Sequence, residues 1–411
     1  MARVSRMSGS YRGDPLPSPI RQEAIADGEE RTAPQLPRRT VMLGMLAGGL
    51  SLLSVGPARA DAPAAMPVPR SAGAASPPAS PPGLANVTAT PNDAPPPRAA
   101  SIPTGGDSAP SPAIPKPRRD PVAVGVYIPG AAQDTTLLDA FEGAAGKRMG
   151  IVHWYQPWGY TKGWYSSPLD VAALNAVAAR GATPMVTWEA WGPIDGVDPS
   201  HVANIPTGAF DVYIDAWARG LKAFGKPVYL RLFHELNNQS YPWAYGTNGN
   251  TAQDLIAAWR YVHGRFARIG AANVRWVWSP NTENDLVSFA ALYPGDAYVD
   301  WFGVDGYNGG SLLEWGGWLP AQQLFDRSYR AFHAINPSKP VMIAEIGSVE
   351  QGGSKPDWIT DLFTAALPRA FPNIRAVVWF DDNLSDQGQA DWRVESSQVS
   401  LHAFGQAVAS L

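Results

Sequence analysis

The chain has 411 residues, a formal net charge of −4 and no cysteine. Absence of cysteine excludes disulfides, thiolate metal sites, cysteine nucleophiles and lipidation at a cysteine. The near-neutral charge leaves no electrostatic footprint for nucleic acid or an anionic membrane, and the length admits two or three domains or one large α/β barrel with extensions.

In chain order, Pro37-Arg38-Arg39-Thr40 precedes a 15-residue apolar run, Val41 to Val55, and Ala58-Arg59-Ala60 follows as a small-residue cleavage motif. The pattern resembles a twin-arginine export signal with a long n-region. Residues 1–60 are therefore expected to be a targeting segment and the protein to be exported, periplasmic or secreted. The apolar run falls short of the roughly 20 residues of a membrane span, so an uncleaved signal would be the one route to a membrane. Residues 61–119 hold 16 prolines in 59 positions and no tryptophan, tyrosine or phenylalanine. Such a segment cannot bury a core and is expected to be a disordered, extended spacer.

From residue 120 to 411, short apolar runs alternate with amphipathic segments. The runs Val122–Ile128, Ile151–Gln156, Thr183–Trp188, Val228–Glu235, Val274–Ser279, Trp301–Tyr307, Val341–Ile346 and Ala376–Phe380 predict eight strands. Helical patterns fall between them at Thr135–Ala145, Leu169–Arg180, Ala209–Phe224, Thr251–Ile269, Ala321–Ile335, Asp357–Arg369 and, after the last strand, Gln398–Ser410, with a short one at Leu286–Leu292. Near-continuous apolar strands alternating with helices indicate a parallel sheet covered on both faces. Eight of them in one domain predict a single α/β (β/α)8 TIM-type barrel. Tyr127-Ile128-Pro129-Gly130 after the first strand carries no glycine-rich phosphate fingerprint, which argues against a dinucleotide fold.

In such a barrel the C-terminal ends of the strands build the active site. All 16 tryptophans lie between Trp154 and Trp392, many of them at strand exits: Trp154 and Trp158, Trp188 and Trp191, Trp243, Trp278 and Trp379. Among them stand His153, Glu189, Arg231, His234, Glu235, Asn237, Asp305, Tyr307 and Glu345. Aromatic faces enclosing a few carboxylates and amides suit an uncharged sugar chain, stacking on pyranose rings and reading hydroxyls. Glycoside hydrolysis needs two carboxyl groups across the scissile bond. Glu235 and Glu345, at the ends of strands four and seven, would face each other across the barrel mouth. A separation of about 5–5.5 Å would mean retention and a wider gap inversion. Arg231 shares strand parity with Glu235 and should point into the mouth, where it could hold Glu345 ionised while Tyr307 donates to the same carboxylate. Glu189, ending the third strand within Trp188-Glu189-Ala190-Trp191, is the rival carboxylate. A metal site is not expected: Asn238 stands where a second histidine of His-Glu-x-x-His would be, and the six histidines are scattered.

The run Arg231-x-x-His234-Glu235-x-Asn237, with Val304-Asp305-x-Tyr307, Ala344-Glu345-x-Gly347 and Val378-Trp379, resembles glycoside hydrolase family 26 over the whole domain from Val122 to Leu411. The resemblance implies Glu235 as acid/base and Glu345 as nucleophile. It further implies Arg231, His234 and Tyr307 as supports, Trp243 and Trp379 as sugar-contacting aromatics, and no cofactor. Asn237, Trp188, Glu189 and His153 complete the expected substrate-binding or supporting set. Asn238-Gln239-Ser240 departs from the mannanase-like form, so β-1,4-mannan and mixed-linkage β-glucan both remain open, with β-1,3-xylan and an exopolysaccharide behind them. The expected partner is a polysaccharide bound by a monomer. The alternative from another class is a non-catalytic carbohydrate-binding or exopolysaccharide-secretion barrel.

Overall fold

The computed structural model describes residues 121–159, 166–409 and 411. The export signal and spacer expected at 1–60 and 61–119 lie outside the described residues. Eight strands occupy β1 Ala123–Tyr127, β2 Ile151–Pro157, β3 Thr183–Glu189, β4 Val228–Leu232, β5 Val274–Trp278, β6 Trp301–Asn308, β7 Val341–Ser348 and β8 Ile374–Phe380. Each pairs in parallel with its sequence neighbours, and β8 returns to β1 to close the barrel. Around them run α1 Thr136–Ala145, α2 Val171–Ala179, α3 Asp211–Phe224, α4 Ala252–Ile269, α5 Phe289–Leu292, α6 Ala321–Ile335, α7 Lys355–Asp361 and α8 Gln398–Ala409. The fold is a (β/α)8 barrel.

Two departures from the sequence reading have local causes. The single helix predicted at Asp357–Arg369 is instead α7 followed by a π-helical stretch, Leu362–Ala370, that contains Pro368. Proline lacks the amide hydrogen that an α-helical turn requires at that position. More consequential, β4 ends at Leu232 rather than running to Glu235. Phe233 and Glu235 adopt left-handed backbone conformations, φ 47° and 53°, which no strand accommodates. The turn is held by Phe233 N–H donating to the Trp188 carbonyl (3.4 Å) and Glu235 N–H to that of Ser279 (2.7 Å). Left-handed non-glycine residues cost about 1–3 kcal/mol each and persist where the surroundings fix them.

Strand alternation sorts the core into two sets. Ile151, Met185, Val277, Met342, Ala344, Ala376 and Val378 fill the barrel interior. Their alternates, among them Trp188, Leu230, Val304, Ile343, Ile346 and Trp379, pack outward against the helices. One break in the rule bears on the mouth of the barrel. Pairing of β6 with β7 runs Val304 to Ile343 and then Asp305 to Glu345, skipping Ala344. This bulge gives β7 two consecutive inward residues, Ala344 and Glu345, where strict alternation would have turned Glu345 toward the helices.

Candidate active site

Above the apolar interior the inward positions turn polar. Arg231, wholly buried on β4, organises them. Its Nε donates to Thr187 Oγ1 (2.7 Å), its Nη1 to both oxygens of Asp305 (2.7 Å each), and its Nη2 to Glu345 Oε1. The strand-parity argument that aimed Arg231 inward relied on a strand reaching Glu235. It is the i, i+2 relation to Tyr229, itself packed against the interior set, that aims it. Gly303 on β6 makes room below Asp305: a Cβ there would sit 2.8 Å from the Ser279 side chain, whose Oγ donates to Asp305 Oδ1 (3.1 Å).

Glu345 receives two further donors, Tyr155 OH to Oε1 (2.5 Å) and Tyr307 OH to Oε2 (2.6 Å). Burial and then the Glu345 charge raise both phenols well above their ordinary pKa, so they stay protonated and donating. Glu345 is thus a buried carboxylate surrounded by three donors, one of them cationic. Glu235 is treated differently. Its Oε2 accepts from Asn238 Nδ2 (2.6 Å), and that amide is oriented by Ser240 N–H donating to Asn238 Oδ1 (3.1 Å). Burial, followed by repulsion from Glu345, pushes its pKa up to about 7, against smaller opposing pulls from Asn238, Asn281 and Arg231. Carboxylate oxygens of Glu235, Asp305 and Glu345 come within 4.8 Å of one another. Arg231 supplies the positive charge in that trio.

The other expected residues fall into three groups. His153 supports Arg231 indirectly. Burial and the Arg231 charge keep its ring neutral, and its Nε2 lies 2.6 Å from Thr187 Oγ1. Thr187 also accepts from Arg231 Nε, so its hydroxyl links the guanidinium to the imidazole. His234 and Glu189 line the same mouth, both fully buried. Asn237 ties the β4 turn to the loop after β5: its Nδ2 donates to the carbonyls of Asn281 (3.1 Å) and Thr282 (3.3 Å), and its Oδ1 accepts from Asn281 N–H (2.8 Å). Its amide is spent on backbone, so it supports the turn instead of reaching substrate.

The tryptophans depart most from expectation. Trp243 is buried behind His234, donating to its carbonyl (2.9 Å) and stacked on Tyr241 at 4.8 Å. Trp188 turns outward, stacked on Trp217 of α3 at 4.4 Å and donating to Tyr213 OH (2.9 Å). Trp379 also turns outward, toward Phe404 of α8, and donates to the Trp392 carbonyl. Strand alternation is the cause for Trp188 and Trp379, each adjacent in its strand to an inward-facing residue. The tryptophan that packs on Tyr307, a hydrogen-bond partner of Glu345, is instead Trp392, at 4.8 Å, with its indole N–H unpartnered among the described residues. Gly347 admits it, since a Cβ there would lie 3.0 Å from Trp392. Sequence reasoning gave no role to Trp392, Tyr155, Thr187 or Asn238. The signal for two of these was available, because Tyr155 and Thr187 lie at even spacing from the inward residues Ile151 and Met185. Concavities of about 500 and 530 Å³ on the outer surface, beside Arg219 and Lys222 and along residues 245–253, contain none of these groups.

Residues 199–331, which carry Arg231, Glu235, Asp305 and Tyr307, match the family model described as glycosyl hydrolase family 26. Over 290 residues the chain is 35% identical to endoglucanase H of Acetivibrio thermocellus, covering 69% of this chain. The chain belongs to glycosyl hydrolase family 26. The match spans 30% of the length of that endoglucanase. A second relative in this family comparison, a mannan endo-1,4-beta-mannosidase of Bacillus subtilis, is 25% identical over 164 residues, 38% of this chain and 40% of its own length. Among solved structures, the mannanase man26 of Bacillus subtilis superposes with a TM-score of 0.50 at 18% identity, over 70% of this chain and 85% of that one; the likeness is one of fold.

Proposed function

We propose that this family 26 domain is a retaining endo-β-glycanase, with Glu345 as nucleophile and Glu235 as acid/base. The observation that carries the reading is the pairing of two buried carboxyls with opposite environments, their oxygens within 4.8 Å together with Asp305. Retaining enzymes hold the pair about 5–5.5 Å apart, whereas inverting enzymes leave about 6.5–9.5 Å for a water. In the first step Glu345, oriented by Arg231, Tyr155 and Tyr307, attacks the anomeric carbon. Glu235, whose pKa is pushed up to about 7, gives its proton to the leaving glycosidic oxygen. The resulting glycosyl ester removes the Glu345 charge and with it the repulsion on Glu235. Glu235 then becomes more acidic and serves as base for the incoming water. The bond formed to Glu345 is broken in the second step, and the sugar leaves with its anomeric configuration retained.

The substrate class we propose is a β-linked glucan, with β-mannan second. Endoglucanase H is matched at 35% over 69% of the chain, against 25% over 38% for the mannosidase. The twin-arginine pattern in the N-terminal sequence supports action outside the cytoplasm. The test uses barley β-glucan, lichenan and glucomannan with the purified protein and Glu345→Ala. Wild type should release reducing ends, and proton NMR should show the β-anomer first. Glu345→Ala should lose about 10⁴-fold or more, and azide should restore turnover as an α-glycosyl azide. Initial release of the α-anomer would overturn retention. Polysaccharide binding without any release of reducing ends would replace the proposal with a carbohydrate-binding role.

A further inference from the structure

Lys355 has no part in the two-step chemistry above, and its placement is unfavourable twice over. Among the described lysines it alone is fully buried, and a buried ammonium is tolerated only where its bonds are met. It also opens α7, where a cation opposes the helix dipole. Burial draws its pKa down to about 8, against the pull of Glu350, Asp391, Asp381 and Glu395, so the side chain stays charged at neutral pH. That charge is directed at one segment: Nζ donates to the Arg393 carbonyl (2.6 Å) and to Ser396 Oγ (2.8 Å). The segment, Asp391 to Ser396, follows β8 and is held from other sides as well. Trp392 N–H donates to the Asp382 carbonyl (2.9 Å), the Trp379 indole to the Trp392 carbonyl (2.9 Å), and Val394 N–H to Asp381 Oδ1 (2.8 Å). Glu350, just after β7, accepts from the hydroxyls of Ser396 and Ser400 at 2.8 Å each. What the segment delivers to the mouth is Trp392. A Cβ on Gly347 would lie 3.0 Å from the Trp392 ring and 3.1 Å from that of Tyr307, so the two rings meet over a position that glycine keeps open. Tyr307 in turn donates its hydroxyl to Glu345 Oε2 (2.6 Å).

We propose that Lys355 is a positioning residue for hydrolysis: by holding the Arg393 carbonyl and Ser396 it fixes Trp392 against Tyr307, and so keeps the Tyr307 hydroxyl on Glu345. The inference rests on the glycanase reading. The hydrogen bonds of Lys355 go to the segment and not to Glu235 or Glu345, so its effect passes through one ring to one hydroxyl. The Trp392 indole N–H has no partner among the described residues. The ring's position therefore follows from packing and from the backbone on either side of it, and Lys355 holds the carbonyl of the very next residue, Arg393. Such a route separates positioning from fold stability. Once the Tyr307 hydroxyl is removed, the lysine has no hydroxyl left to place.

The test is a double-mutant cycle on barley β-glucan and glucomannan, run at a temperature where circular dichroism shows every variant folded. Lys355→Met keeps the length of the side chain and removes its charge and both bonds. It should lower kcat by roughly tenfold, as partial loss of a hydrogen bond to a charged group implies, with KM within about twofold of wild type. In a Tyr307→Phe background the same substitution should lower kcat by less than about twofold, because the two residues act in series. Ser396→Ala removes one of the two acceptors and leaves the cation in place, and serves where Lys355→Met does not fold. It should follow the same pattern with a smaller factor, about threefold. A lowered Tm with unchanged kcat would make the lysine purely structural and overturn the proposal. So would the same loss of kcat with and without the Tyr307 hydroxyl. Wild-type protein inactive on both polysaccharides would instead overturn the glycanase reading on which the inference depends.

Discussion

Arg231 holds Asp305 through a single nitrogen, Nη1, 2.7 Å from both carboxylate oxygens. That leaves Nη2 free for Glu345. Asp305 is therefore the anchor that fixes where the guanidinium points, and Glu345 is the group it points at. Breaking a buried pair by removing one partner costs about 3–5 kcal/mol, because the other charge stays buried. Asp305→Asn and Arg231→Met should each lower stability by that order, read from urea denaturation midpoints. Both should also lower kcat on a polysaccharide. Arg231→Lys should recover part of the stability but little activity, because an ammonium is a point charge and cannot bridge two carboxylates in fixed geometry. Wild-type stability in Arg231→Met would refute the buried-pair account.

The raised pKa of Glu235 predicts a pH dependence with a definite sign. Glu235 in the fold titrates near 7, above its ordinary value of 4.5, so the folded chain binds more protons than the unfolded chain between these values. Stability then falls as pH rises from 4.5 through 7. The loss is complete above pH 7 and is on the order of 3 kcal/mol. Glu235→Gln removes this dependence, so it should be more stable than wild type at pH 8 and close to it at pH 4. On the proposed mechanism, the wild-type kcat/KM should fall above about pH 7, where Glu235 loses its proton. Equal pH–stability profiles for the two proteins would argue against a buried, proton-holding Glu235.

Tyr155 and Tyr307 bind opposite oxygens of Glu345. Hydrogen bonds to a charged group are worth about 1.5–3 kcal/mol. Tyr155→Phe and Tyr307→Phe should each reduce kcat by roughly 10- to 150-fold. Because both act on one carboxylate that Arg231 also holds, their effects should not add. The double variant measures this: a loss equal to the product of the single losses would mean that the two phenols act independently.

The barrel was legible in the sequence because each apolar run was bounded and separated by an amphipathic helix, and the rim carboxylates stood where those runs stopped. What was not legible is where alternation breaks. Glu345 faces inward only because β7 carries a bulge after Ile343, and Glu235 is aimed by a left-handed turn after Leu232. Neither feature leaves a glycine or proline as a marker at the residue concerned. The tryptophans failed for the converse reason. Trp188 and Trp379 do follow alternation, and applying the parity used for Arg231 to them would have turned them outward. Tyr155 was passed over because attention to charge at strand ends undervalues a phenol that acts on a charge.

That correction has its own test at Trp188. Its ring is wholly buried between β3 and α3, stacked at 4.4 Å on Trp217, with its indole N–H on Tyr213. Trp188→Phe keeps an aromatic ring but removes the hydrogen bond and part of the buried surface. A lost bond of about 0.5–1.5 kcal/mol and a residual cavity should together lower stability by roughly 1–3 kcal/mol. Because the ring does not reach the mouth, KM for the proposed β-glucan substrate should stay within about twofold of wild type, the residual effect expected of a change confined to packing. A sugar-stacking tryptophan would behave in the opposite way, with stability nearly unchanged and KM raised about tenfold or more, as losing roughly 1.5 kcal/mol of ring contact implies. Thermal denaturation and a Michaelis curve on the same preparation separate the two outcomes.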